Sequence, residues 1–301
     1  MALLYNSPLS IIITLNTFYI ISDIMYKQQY IVGDFMNKLQ ENISLTKLGG
    51  LNNSNYLVTL QNSKYVLRIP SRDNTNNFYN ENEILNIIRP FNISPNILYH
   101  NKDTGVLLSE FKESTKINIE FYNSPLFING LISTLKKLHS LKCNNYFNPF
   151  EVINKNINFL IESSFDFNHD INLLVENLTS LEDKLTKEFH YGLCHNDLNI
   201  SNILYNKDSI YLIDFEFTAM GDIFFDLATL SWFLNDDMRN ELIKRYFGYS
   251  SKDLKEKLEG YLFVVKLWNA TWSFIKSINS NSNYDYRLGG NMILDDLITS
   301  L

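Results

Sequence analysis

A chain of 301 residues, 45% hydrophobic and 14% aromatic, is long enough for one large domain or for two lobes around a cleft, with a substantial core. A formal net charge of −7 argues against a nucleic-acid-binding face. Two cysteines, Cys143 and Cys194, supply neither a disulfide framework nor a zinc spacing, so the cytoplasm is the natural compartment.

Residues 9 to 22, LSIIITLNTFYIIS, are apolar but carry Thr14 and Asn16 and fall short of a membrane span. No basic residue precedes them and no clear small-residue cleavage site follows, so they make a poor signal peptide. Three readings stay open: a strand or helix packed on the body, a weak membrane anchor, or a true start of translation at Met25. Residues 1–30 are set apart as an extension of unclear role.

Val32, Phe35, Met36, Leu39 and Ile43 recur at helical spacing and predict an amphipathic helix over 31–47. Next, Gly49 and Gly50 with Asn52, Asn53, Ser54 and Asn55 lie between apolar runs, which predicts a strand–loop–strand hairpin. Glycines in such a loop let backbone amides approach a phosphate, although neither a full G-x-G-x-x-G nor a G-x-x-x-x-G-K-[ST] is present. Residues 64–70 read as a strand with Arg68 at its middle, a cation that requires a partner. The helix starting at Asn80 offers Glu81 and Glu83 on different faces. Strands are predicted over 96–99 and 106–111, the second ending on Glu110 and Phe111.

From residue 113 the pattern is mostly helical. Helices are predicted over 127–141, with Leu131, Leu135, Leu138 and His139 inward, and over 166–188, through Ile171, Leu174, Leu178 and Leu185. Residues 200–205 and 210–213 read as two short strands about the polar turn Asn206-Lys207-Asp208. Phe225-Asp226-Leu227-Ala228 begins a helix. Trp268 and Trp272, four apart, share one helical face, and Tyr284 and Tyr286 follow. With Trp232 they form either plain core packing or an aromatic cage for a quaternary ammonium, where each cation–π contact is worth roughly 0.5–2 kcal/mol.

The chemistry concentrates in HNDLNISNILYNKDSIYLIDFE, residues 195–216. A hairpin over 200–213 brings its ends together, so Asp197 and Asn202 lie near Asp214. Two carboxylates and a carboxamide are the hard oxygen donors that magnesium prefers. An aspartate in the loop before the hairpin can accept a proton from an attacking hydroxyl, which completes a parts list for phosphoryl transfer.

The spacing H-x-D-x-x-x-x-N followed by I-D-x-E resembles the aminoglycoside phosphotransferase and choline kinase superfamily, with Asp214-Phe215-Glu216 where a protein kinase has Asp-Phe-Gly. The resemblance covers residues 46 to 290. It implies a two-lobed α+β fold, with a β-rich lobe over 31–111 and a larger, mainly helical lobe over 112–301. It implies that Asp197 is the catalytic base, that His195 braces the loop, that Asn202 and Asp214 hold Mg2+, that Glu216 reaches the metal or the substrate, and that Asp226 hydrogen-bonds the loop near His195. The Gly-Gly-x-x-Asn-x-x-Tyr loop (Gly49, Gly50, Asn52 and Asn55 here) would cover the phosphates of ATP, Arg68 would grip them, and Glu81, with Glu83 as fallback, would pair with Arg68. Backbone groups from Glu110 and Phe111 to Lys112 would meet the purine. The strand arginine and the late tryptophans tilt the resemblance to choline kinases, with Trp268 first and Trp232, Trp272 and Tyr286 next as acceptor contacts. The spacing W-x-x-x-W departs from W-x-x-W. Asp236, Asp237, Asp295 and Asp296 keep an aminoglycoside acceptor open, ethanolamine and thiamine kinases compete, and a nucleotide-binding module without turnover is the reading of another class.

Overall fold

The computed structural model describes residues 43–49, 53–60, 63–70, 77–207, 209–279 and 284–299. Gly50 and Asn52, the extension over 1–30 and most of the helix predicted for 31–47 lie outside the described residues. The last turn of that predicted helix is instead a strand, β1 (Ile43–Lys47). Ile43-Ser44-Leu45-Thr46 alternates apolar and polar with β-branched residues, and pairing along β2 outweighs the helical spacing that reaches Ile43 from upstream.

β1 opens a five-stranded antiparallel sheet with β2 (Asn53–Leu60), β3 (Ser63–Pro70), β4 (Ile97–His100) and β5 (Leu107–Glu110), in the order β1-β2-β3-β5-β4. Alternation sorts the side chains by face. Val58, Leu60, Leu67 and Leu108 form an apolar cluster, with Leu45, Tyr56, Tyr65 and Tyr99 packed on it. The register puts Asn55 opposite Arg68, Arg68 opposite Leu107, and Leu107 opposite His100. These four therefore make a row across the other face, and α1 (Phe78–Ile88) reaches that row through Glu81. The β4–β5 turn depends on Gly105, whose φ is +68° and where an added Cβ would sit 2.4 Å from the Phe78 ring.

The chain divides into two compact units, one made of residues up to 85 with 94–112, the other of 86–93 with 113–301. The second unit is mainly helical. It contains α2 (Ile119–Tyr122), α3 (Pro125–His139), α4 (Pro149–Glu162), α5 (Ile171–Leu185), α6 (Phe224–Ser231), α7 (Asp236–Phe247), α8 (Lys252–Asn279) and α9 (Tyr286–Thr299). Two hairpin-like pairs complete it: β6 (Tyr191–Cys194) with β9 (Ala219–Asp222), and β7 (Ile203–Asn206) with β8 (Ser209–Leu212).

Caps set the helix ends. Ser124 accepts from the Phe127 amide and starts α3 at Pro125, and Asp170 accepts from the Asn172 amide and starts α5 at Ile171, later than the predicted 166. The helix α8 is the spine of this unit. Its residues Leu258, Tyr261, Val264, Val265, Leu267, Trp268 and Phe274 are buried. No described helix is long and apolar enough to cross a membrane.

Candidate active site

The strand expected from Ile200 begins at Ile203, because residues 200–202 form a 3-10 turn. Asn199 causes it: its Oδ1 accepts from the Ser201 amide and its carbonyl accepts from the Asn202 amide. The turn aims Asn202 back at Asp197. The Asn202 Nδ2 donates to Asp197 Oδ2 at 2.8 Å and to the Asp197 carbonyl at 2.9 Å, while Asn199 Nδ2 donates to Asp197 Oδ1 at 3.0 Å. Since the Asn202 amide nitrogen is engaged by Asp197, its carbonyl oxygen is the atom left for a cation.

His195 is fully buried and uses both ring nitrogens. Nε2 donates to the Ile213 carbonyl at 3.0 Å, and Nδ1 accepts from the Asp197 amide at 3.3 Å. Burial holds this ring below the usual histidine range, against the pull of Asp226. A neutral ring with both nitrogens occupied braces the loop and has no free nitrogen to take up a second proton. Asp226, also fully buried, accepts the His195 amide at 2.7 Å and the Asn196 amide at 2.8 Å, and His139 Nε2 lies 3.0 Å from it. Cys194 stands beside His139 and Asp226. Hydrogen bonds already fill that cluster, which makes it a structural knot under the loop.

Asp214 follows the strand β8 with φ +67°. Its charge bears on Asp197: burial first, then Asp214, push the Asp197 carboxyl up to about 7, against the two amides that lower it. Asn202, Asp214 and Glu216 offer oxygen donors only. The donor set suits a hard divalent ion such as magnesium.

In the sheet unit, Arg68 Nη2 lies 2.5 Å from Glu81 Oε2, and 3.4 Å from the Gly105 carbonyl. The pair forms with Glu81, which is 1% exposed, and not with the half-buried Glu83. Asn55 donates from Nδ2 to the Gly49 carbonyl at 3.2 Å, which closes the turn entrance beside the row containing Arg68. The Glu110 amide is engaged by the Asn96 carbonyl and the Phe111 amide by the Lys64 carbonyl. Both amides are thus bonded within the sheet unit.

The aromatic residues separate into three groups. Trp268, 5% exposed, meets Phe217, Phe225 and Phe147 edge-on at centroid distances of 5.7, 6.0 and 6.3 Å, and its buried Nε1 has no hydrogen-bond partner. Trp272 meets Tyr286 at 5.8 Å, and Lys276 lies over its ring. Trp232 stacks on Phe233 at 5.6 Å, with Lys266 over it at 6.0 Å. Sequence reasoning missed Phe217, Phe147, Asn199 and His100. Phe217 alone left a signal, as an aromatic directly after Asp214-Phe215-Glu216.

An antiparallel sheet unit, a mainly helical unit and an Asp–Asn–Asp loop define the chain as a kinase of the protein-kinase-like fold. The family model described as the phosphotransferase enzyme family matches residues 45–261, more than half of the chain, and the chain belongs to that family of small-molecule kinases. Protein LicA of Haemophilus influenzae is 24% identical over 266 residues, covering 83% of this chain and 78% of LicA. Among solved structures, a choline/ethanolamine kinase family protein of Mesorhizobium loti superposes with a TM-score of 0.75 at 22% identity, covering 85% of this chain and 87% of its own. Choline kinase LicA of Streptococcus pneumoniae gives 0.71 at 20% identity, covering 87% of this chain and 95% of its own.

Proposed function

We propose that the chain uses ATP and magnesium to phosphorylate the hydroxyl of a small amino alcohol, choline before any other, yielding phosphocholine and ADP. The observation that carries the reading is the grip on Asp197. Two amides hold its two oxygens at 2.8 and 3.0 Å, and Asp214 raises its affinity for a proton. A carboxylate so held orients the acceptor hydroxyl and takes its proton as the oxygen attacks the γ-phosphorus. His195 and Asp226 keep the loop in place, and Arg68, fixed by Glu81, binds phosphate oxygens. Asn202, Asp214 and Glu216 would hold magnesium, which neutralises charge on the phosphates when bound.

Choline as acceptor rests on the choline kinases among the relatives and on the aromatic group at Trp268, whose Phe217 lies three residues beyond Asp214. The aminoglycoside reading needs free carboxylates late in the chain. Asp295 accepts from His169 at 2.6 Å, Asp296 pairs with Lys266 at 2.7 Å, and Asp236 pairs with Arg239 at 3.8 Å, so three of its four acids have partners. Ethanolamine remains the nearest alternative, since it shares the amino alcohol and lacks only the methyl groups. ADP release by the purified protein, with ATP, magnesium and choline, ethanolamine, thiamine or kanamycin, tests the proposal. Stimulation by choline is expected. Stimulation by kanamycin alone would replace the acceptor, and release with none of the four would favour a binding module.

A further inference from the structure

We infer that His100 is a positioning residue for nucleotide binding, acting through Glu81 on Arg68; the inference rests on the phosphotransferase reading of Arg68. Arg68 and His100 lie in one row of the sheet, opposite Leu107 from its two sides. Neighbouring strands run about 4.8 Å apart, so their backbones are roughly 10 Å from each other. The Glu81 carboxylate enters this gap from α1 and is held from both directions. Arg68 Nη2 approaches Oε2 at 2.5 Å, and His100 Nε2 approaches the same oxygen at 3.2 Å. The other ring nitrogen, Nδ1, lies 3.2 Å from Asn82 Oδ1.

The chemistry fixes the direction of the His100 bond. An ionised carboxylate only accepts, so the proton between His100 and Glu81 sits on Nε2. The other carboxylate oxygen, Oε1, is buried without a hydrogen-bond partner. Oε2 therefore bears both contacts, and loss of His100 leaves Glu81 tied to Arg68 alone. The carboxylate is then free to rotate about its last bond and carry the guanidinium with it. A phosphate-binding arginine needs its fork fixed, because misplacement lowers affinity without removing the charge.

A purely structural histidine and a positioning one differ in what they move. His100→Ala should raise the KM for ATP roughly tenfold, the size of one lost hydrogen bond to a charged group, and leave the KM for the acceptor unchanged. His100→Gln, which retains an N–H donor near the Nε2 position, should recover most of that loss. In a Glu81→Gln background the further change to His100→Ala should add little, since the contact is already weakened. Nitrogen-detected spectra of the His100 ring supply a readout independent of nucleotide: the Nε2–H should exchange slowly in the wild type and quickly in Glu81→Gln. Unaltered exchange, or an unchanged ATP KM in His100→Ala, overturns the role of His100 while leaving the phosphotransferase reading in place. A wild-type protein that binds no nucleotide in direct titration overturns that reading and takes the positioning role with it.

Discussion

Glu81 and Asp197 are both carboxylates drawn away from water, and their surroundings treat them in opposite ways. Burial alone would raise Glu81, but the His100 hydrogen bond and the Arg68 charge outweigh it and hold the group below its usual range. Asp197 has burial and a second carboxylate, Asp214, acting in the same direction, and two amides do not compensate. The sheet unit thus presents a cluster in which the buried carboxylate is matched by a cation and a histidine donor. The loop of the helical unit sets one carboxylate beside another, a state that the proposed cation and substrate proton would relieve. In the proposed reaction, the group that would carry the chemistry sits beside a like charge, and the group that would support it sits beside an opposite one.

The contrast is broken most severely at the reactive carboxylate. Asp197→Ala should lower turnover by roughly 10²–10⁴-fold while nucleotide affinity stays similar. Near-normal turnover would remove Asp197 from the reaction. Stability should move the other way. Arg68→Ala strands Glu81 with a single contact and should cost on the order of 3–5 kcal/mol, whereas Asp197→Asn should raise the melting temperature of the metal-free protein. A stabilising Arg68→Ala, or a destabilising Asp197→Asn, in a denaturation experiment would dismantle the comparison.

Acidity sharpens it further. Asp197 binds a proton more tightly folded than unfolded, so its contribution to stability falls as pH rises from the unfolded carboxylate range, about 4, toward 7. The advantage of Asp197→Asn should be full above pH 7 and vanish below about pH 4. Glu81 has the reverse sign: its stabilisation is present above the unfolded value and is lost as pH falls through the lower folded one. Melting curves of Asp197→Asn and Glu81→Gln against pH should therefore differ from wild type in opposite directions at neutrality. The smallest effect belongs to the acceptor. Trp268→Phe keeps a ring among Phe147, Phe217 and Phe225 and removes the unpartnered Nε1, so the choline KM should rise severalfold with the ATP KM unchanged. A choline KM that does not move would take Trp268 out of the acceptor site.

Legibility followed sequence distance. The loop with Asp197, Asn202 and Asp214 could be read because its parts lie within twenty residues and a hairpin joins them. Arg68 and Glu81 could be paired because a cation inside a strand needs an acid, and the next helix supplied two. His100 left no trace, since one histidine at a strand end has no pattern to announce its partner across two strands. The turn over 200–202 was hidden by isoleucines that favour a strand, while Asn199 settled the backbone through its own hydrogen bonds. The strand over 43–47 was masked by an upstream helical spacing that continued into it. Trp268 and Trp272 share a helix as their spacing requires, but Phe147 and Phe217 come from distant segments and choose only the first.

The helix α8 runs for 28 residues, about 42 Å. Lys257 near its start pairs with Asp222 of β9 at 2.7 Å, Lys266 at its middle pairs with Asp296 of α9, and Trp268 just beyond meets Phe217. One rod therefore carries anchors to the strand that follows the loop, to the last helix and to the aromatic group. Such a rod transmits load along its length and does not yield at one joint alone. Its central amides should be the last in the helical unit to trade hydrogen for deuterium, released only when the unit opens as a whole.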